Sequence, residues 1–183
     1  MSSVAAGILT IGPRFGGAVS GAAEMFKDAI EKGYTPEEFI RKWKAKGINI
    51  QGIGHRIKSL RNPDKRVELL KDYAVKNFTA TRHLDYALSV EQLTTKKKEN
   101  LILNVDGAIG ICFVDLMESL GFTAKEIDDV VRDGGLNGLF LLGRTIGMIG
   151  HFFDQKRLKE GLYRHPWEDI LYALPNEEDL PSS

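Results

Sequence analysis

Helix-start signals recur along the chain, and no run alternates apolar and polar residues with period two. That combination restricts the fold to helices, because a half-buried strand requires the alternation. Thr35-Pro36-Glu37-Glu38 joins an N-cap residue, a proline at the first helical position and an acid three residues past the cap, predicting a helix over 36–46 that stops at Gly47. Thr123-Ala124-Lys125-Glu126 is a second capping box, leading to an acidic surface helix that ends by Gly134. Asn62-Pro63 opens a helix through about residue 77, and Thr81 one through about 95 that closes on Lys96-Lys97-Lys98. Phe15, Ala18, Ala22, Met25, Phe26 and Ile30 predict a helix over 16–32 ending at Gly33. Residues 100–120 are apolar nearly all round and predict a central buried helix. The long segment 136–159 carries Gly138, Gly143, Gly147 and Gly150, which lower helix propensity but let neighbouring backbones approach closely. The count is about seven helices, and the class is all-α. The glycine-broken stretch 47–54 is expected to be a loop or short extended segment.

With 183 residues and 43% hydrophobic content the chain fits one compact helical domain, or one with a small lobe. Lys plus Arg balances Asp plus Glu at 25 each, so any anion specificity must come from local clusters. Nucleic-acid binding is not expected, because the basic run 56–66 has no interleaved aromatic platform. The lone Cys112 sits in an apolar run, reads as an inert core thiol and fits a reducing cytoplasmic setting. No signal peptide is expected in MSSVAAGILT, and no membrane helix in 135–153, which carries Arg144 at its centre. His55, His83, His151 and His165 lack metal-ligand spacing, so no metal is expected. The polar end, 176–183, is expected to be a flexible tail.

Four pieces carry residue types that a helical core does not need. In "GIGHRIKSLRNPDKR", 52–66, His55 is followed by Arg56, Lys58, Arg61, Lys65 and Arg66. Backbone amides freed by Gly52 and Gly54, together with guanidinium forks, suit a phosphate or carboxylate, and a neutral imidazole can donate to a carbonyl oxygen. The same run also reads as a solvated helix start. In "LILNVDGAIG", 101–110, Asn104 and Asp106 interrupt an apolar run; burial raises a carboxyl's pKa, which suits proton exchange with carbon, but a turn or a structural ion pair would look alike. Arg144, among Leu141, Leu142, Ile146 and Met148, reads as a buried guanidinium whose partner is either Asp106 or a substrate carboxylate. The mixed basic and aromatic segment 154–167 reads as a docked C-terminal segment or a further ligand contact.

These four pieces, with L-T-I-G-P-R-F-G-G-A at 9–18, N-P-D-K-R-V at 62–67, G-L-N-G-L-F at 135–140, I-G-H at 149–151 and Y-R-H-P-W at 163–167, occur in an order that resembles the citryl-CoA lyase modules of the ATP-citrate lyases, in the citrate synthase superfamily. The resemblance covers most of the chain. It implies an all-helical citrate synthase-like fold over 1–175, with a small domain at roughly 34–134 flanked by segments of a large domain. It also implies cleavage of citryl-CoA to acetyl-CoA and oxaloacetate. Carried over by position, His55 would polarise the thioester carbonyl and Asp106 would exchange the acetyl proton. Arg66 and Arg144 would hold citrate or oxaloacetate carboxylates, and Arg164 would do so across a subunit boundary. Ile50, Gly52, Ile53, Gly54, Arg56, Lys97 and Lys98 would form the surface for coenzyme A.

In that family another catalytic histidine lies in an A-D-H-G-like segment upstream of L-T-I-G, and none of the four histidines here replaces it. The expectation is a small domain plus C-terminal helices, whose uncovered apolar faces favour a homo-oligomer or the remaining parts of an ATP-citrate lyase as partner. Two other readings stand beside the lyase: citrate synthase itself, and a non-catalytic coenzyme A-binding or oligomerisation fragment.

Overall fold

The computed structural model describes residues 2–11, 17–161 and 163–169. Among them are eight α-helices: α1 (Ser2–Leu9), α2 (Ala18–Glu31), α3 (Pro36–Ala45), α4 (Lys65–Asn77), α5 (Arg82–Lys97), α6 (Val105–Ser119), α7 (Ala124–Arg132) and α8 (Gly135–Arg157). A single 3₁₀ turn follows at Trp167–Asp169. The described residues hold no strand, only isolated antiparallel bridges pairing Ile53 with Leu103 and Ser59 with Asn62. The all-α expectation is met. The chain divides into two compact units, 1–147 and 148–183.

In the first unit α6 is the axis. Its nearly uninterrupted apolar surface packs against α2, α4, α5 and α7, as an all-round hydrophobic helix must. Phe26 of α2 and Phe39 of α3 are fully buried with ring centroids 5.0 Å apart, and Tyr86 of α5 meets both edge-on. Each such side chain contributes on the order of 1.5–3 kcal/mol by leaving water. A second apolar cluster joins Val19, Ala23, Val114, Met117, Ile127, Val131 and Leu136, tying α2, α6, α7 and the start of α8 together. Helices α2 and α6 meet backbone to backbone at Gly110, where a Cβ would sit 2.4 Å from the Val19 carbonyl oxygen. Lys27, almost wholly buried, bridges Glu31 on its own helix and Asp128 of α7 at 2.7 Å.

Both predicted capping boxes form: Thr35 with Glu38, and Thr123 with Glu126. Other boundaries differ from expectation. The helix expected from Asn62 starts at Lys65, because the Asp64 carboxylate accepts from Arg66 N and becomes the cap. The helix expected from residue 100 starts at Val105, because the backbone of 100–104 is bonded to the 52–55 loop and Asn104 caps α6 through Gly107 N. The helix α1 carried no capping signal and was not expected. Gly138, Gly143, Gly147 and Gly150 were expected at a close backbone approach, yet among the described residues nothing lies within 4 Å of a Cβ placed at any of them. The close approaches occur at Gly52, Gly107 and Gly110 instead.

Helix α8 presents apolar side chains to solvent: Leu142 and Ile146 in the first unit, Ile149, Phe152 and Phe153 in the second. The second unit also holds an Arg157–Asp154 pair at 3.1 Å and an exposed Trp167. No described helix is long and apolar enough to cross a membrane. The expected tail, 176–183, and Phe15 of the predicted first helix lie outside the described residues.

Candidate active site

The stretch 50–55 is laid along 99–104 by a ladder of backbone and amide hydrogen bonds. Gly54 N donates to Ile102 O at 2.7 Å, His55 N to Asn100 O at 2.9 Å and Asn104 N to Gly52 O at 2.9 Å. Asn100 Nδ2 donates to His55 O and Asn104 Nδ2 to Gly54 O, each at 2.9 Å. Gly52, at φ +84°, meets Gly107 in the first turn of α6: a Cβ on Gly107 would lie 2.6 Å from Gly52 O. A side chain at either position would force the loop off the helix. The loop that carries His55 is therefore held against the first turn of α6, which carries Asp106, by contacts between residues 45 to 55 apart in sequence, and the closest of them is between two glycines.

The imidazole is fixed by its own turn. Nδ1 of His55 accepts from Lys58 N at 2.8 Å and from Ile57 N at 3.0 Å. Because Nδ1 is used as an acceptor, the neutral ring carries its proton on Nε2, which is then a donor. His55 itself is half-buried.

Asp106 occupies the first turn of α6, half-buried, with a buried Oδ1 that has no hydrogen-bond partner among the described residues. Burial pushes its carboxyl above the ordinary value; the electrostatic influence of Arg66, then Arg144, then His55 opposes this without overcoming it. A helix N-terminus favours a carboxylate by only about 0.3–1 kcal/mol, so desolvation wins here. Arg66, Arg144 and His55 thus all lie close enough to this carboxyl to act on it electrostatically.

The two guanidinium groups stand in different surroundings. Arg66 lies at the start of α4 and is already engaged: Nε donates to Asp64 Oδ1 at 3.0 Å and Nη2 to Asp64 Oδ2 at 2.6 Å. The Arg66 hydrogen bonds hold the buried Asp64 carboxyl below its ordinary value. Arg144 was expected to be buried and is exposed, lying 5.0 Å over the Phe140 ring, because nothing among the described residues covers that face of α8. Of the rest of the basic run, Arg56, Arg61 and Lys65 are exposed, Arg61 pairing with Glu99 at 2.9 Å and Lys65 with Glu68 at 3.5 Å, while Lys58 is half-buried and donates to Asn62 Oδ1 at 3.2 Å.

Around the loop, Gly52 is buried, Ile50, Ile53 and Gly54 are half-buried, and Arg56 is exposed. Lys97 ends α5 and Lys98 caps it, both exposed and two to three residues before the Asn100 that holds the His55 backbone. Arg164 is exposed in the second unit.

Sequence reasoning missed Asp64 and Asn100 as partners of the site. It also missed a cluster of buried His83 and Asp115 with half-buried Glu118, whose ligand atoms lie within 4.8 Å of one another. Asp115, like Asp106, is an acid in an apolar helix, and that signal was available. Its oxygens accept from His83 N and Leu84 N at 3.0 Å each and meet His83 Nδ1 at 2.8 Å. Both oxygens are committed to the first turn of α5, so the arrangement is a helix cap supplied from α6.

Comparison with known proteins follows this geometry. The chain is 64% identical to a structure of a Methanosaeta concilii ATP citrate lyase variant in complex with (3S)-citryl-CoA, with a TM-score of 0.90 over 97% of this chain and 29% of that one. It is 58% identical to human ATP-citrate synthase over 181 residues, 98% of this chain and 16% of the relative. A citryl-CoA lyase from Hydrogenobacter thermophilus is 28% identical, with a TM-score of 0.70, and the match covers 97% of this chain and 65% of that one. The chain thus spans less than a third of the ATP-citrate synthases it matches. With the family "Citrate synthase, C-terminal domain" matched over residues 1–165, the chain belongs to the citrate synthase family.

Proposed function

We propose that the chain supplies the carbon–carbon bond-cleaving centre of an ATP-citrate lyase, splitting citryl-CoA into acetyl-CoA and oxaloacetate. The observation that carries this is the Asp106 carboxyl, raised by burial, unpartnered at Oδ1 and within the electrostatic reach of Arg66, Arg144 and His55. The relatives that bind citryl-CoA, or citrate with coenzyme A, support the substrate class.

In the cleavage, loss of the citryl hydroxyl proton drives formation of the oxaloacetate ketone as the carbon–carbon bond breaks. The electron pair moves onto the thioester as an enolate, which takes a proton at carbon to give acetyl-CoA. A donor at His55 Nε2 would stabilise the enolate oxygen, the role electrostatic catalysis requires. A carboxyl kept protonated to higher pH is suited to giving that carbon its proton, so Asp106 takes the part of general acid. Arg66 and Arg144 would hold substrate carboxylates, and Arg164 would do so from a neighbouring subunit. The backbone of Ile50, Gly52, Ile53 and Gly54, with Arg56, Lys97 and Lys98, would take coenzyme A, whose phosphates need exposed cations.

The base for the hydroxyl is not among these groups; the resemblance assigns that part to a histidine in an A-D-H-G-like segment, and the use of ATP to other modules of an ATP-citrate lyase. Residues 34–134 form the small domain in this reading, and the exposed apolar side chains of α8 favour a homo-oligomer. The buried, unpaired Cys112 fits the cytoplasm.

The test is oxaloacetate release from citryl-CoA, measured with the 183-residue chain alone and in a longer lyase. Exchange of acetyl-CoA methyl protons for deuterium is followed in parallel by NMR. Turnover or exchange that depends on Asp106 supports the reading. Coenzyme A binding with neither, in both contexts, would favour a binding and assembly module. Condensation of acetyl-CoA and oxaloacetate without citryl-CoA cleavage would make it a synthase.

A further inference from the structure

Arg66 is positioned by a carboxylate that belongs to the protein. The Asp64 side chain is only 3% exposed, against 63% for Arg66, and it accepts three hydrogen bonds from that one residue: from N at 3.1 Å, Nε at 3.0 Å and Nη2 at 2.6 Å. Nε and Nη2 form the side-on fork of a guanidinium. Using it leaves the end-on pair, Nη1 and the second proton of Nη2, for another acceptor. The same carboxylate caps α4. The guanidinium plane is thus referenced to the helix start and not to a freely rotating side chain.

We propose that Asp64 is a positioning residue that locks the side-on edge of Arg66, so that its end-on edge is presented, pre-oriented, to a carboxylate of the substrate. This rests on the reading of Arg66 as a substrate-carboxylate contact. An arginine has four rotatable side-chain torsions, and fixing them before binding removes an ordering cost that the ligand would otherwise meet.

The variants separate capping from locking. Asp64→Ser keeps a hydroxyl that caps α4 and loses the fork. Asp64→Asn keeps an acceptor for Arg66 N but turns the second oxygen into a donor facing Nη2. Oxaloacetate and coenzyme A are titrated by calorimetry into wild type, both variants and Arg66→Ala, with thermal unfolding measured on each. In parallel, Arg66 modification by phenylglyoxal is followed by peptide mapping, which needs no substrate.

The expected result is oxaloacetate binding weakened about tenfold in Asp64→Ser, coenzyme A binding unchanged, and faster Arg66 modification. If Asp64→Ser fails to fold, Asp64→Asn carries the test with the same expectation. If Arg66→Ala weakens oxaloacetate while both Asp64 variants bind as wild type, the positioning role is overturned and the site reading stands. If both ligands weaken together with a lowered melting temperature, Asp64 is a helix cap only and the proposal fails. If wild type does not bind oxaloacetate, or Arg66→Ala binds as wild type, the site reading and this proposal fall together.

Discussion

Replacing Gly107 by alanine should destabilise the chain, although alanine is the better helix former. A Cβ there would lie 2.6 Å from Gly52 O, 2.7 Å from Gly52 Cα and 2.9 Å from Leu103 Cδ1. Two of these three atoms are backbone, held by the hydrogen bonds of the 52–55 loop, so the clash cannot be relieved by a rotamer change. Overpacking of this kind costs about 1–3 kcal/mol, and the gain in helix propensity returns up to about 1 kcal/mol. The net effect, after the full gain is subtracted, is a loss of up to about 2 kcal/mol, which for a chain of this size lowers the melting temperature by up to roughly 8 °C. The control is Gly138→Ala in α8, where nothing lies within 4 Å of the new Cβ. There propensity acts alone, and the melting temperature should rise by about 1–4 °C. Thermal unfolding followed by far-UV circular dichroism measures both. If the two variants shift in the same upward direction, the Gly52–Gly107 contact does not constrain the loop, and the account of how His55 and Asp106 are held together is wrong.

Burial raises the Asp106 carboxyl, so the folded chain keeps that proton to higher pH than the unfolded chain does. Wild-type stability therefore falls as pH rises from the unfolded carboxylate value through the folded one. Asp106→Asn, which stays neutral, should melt above wild type at pH 7 and match it near pH 3, below both values (~3.9 for the unfolded acid); a gap that is equal at both pH values, or reversed, contradicts the burial argument. Asp115→Ala strips three buried donors of α5 of their acceptor and should cost about 3–5 kcal/mol, read as a lower urea midpoint. An unchanged midpoint would mean that α5 is capped some other way. Burial pushes the Cys112 thiol up to about 12. Iodoacetamide at pH 8 should modify it more than about a hundredfold more slowly in the native chain than in urea, and comparable rates would place the thiol outside the core.

Helix identity was legible in the sequence wherever the signal is local. The capping boxes at Thr35 and Thr123 satisfy backbone donors within four residues, so no distant contact can revise them. The all-round apolar surface of 105–119 likewise forced that helix into the centre of its unit. Legibility failed where the decisive partner is remote. Residues 100–104 read as the start of α6 but pair with the loop at 52–55; at α4 the deciding partner is local, and Asp64 displaces Asn62 as cap because its carboxylate also holds Arg66 two residues on. Arg144 read as buried because its neighbours in sequence are apolar, yet burial depends on what covers a helix face, and nothing among the described residues covers this one. The glycines of α8 looked like close-approach sites for the same reason, while the real close approaches are at Gly52, Gly107 and Gly110.

The sequence by itself determined the helical class, most helix boundaries and which side chains are chemically unusual, since each depends on spacing along one segment. Only the tertiary structure decided that His55 presents Nε2 as its donor, that Asp106 keeps a buried unpartnered oxygen, and that one guanidinium is locked while another is open to solvent. Burial at Asp106 and exposure at Arg144 depend on segments remote in sequence, while the His55 and Arg66 bonds span only two or three residues and depend on backbone dihedrals that the folded turn fixes.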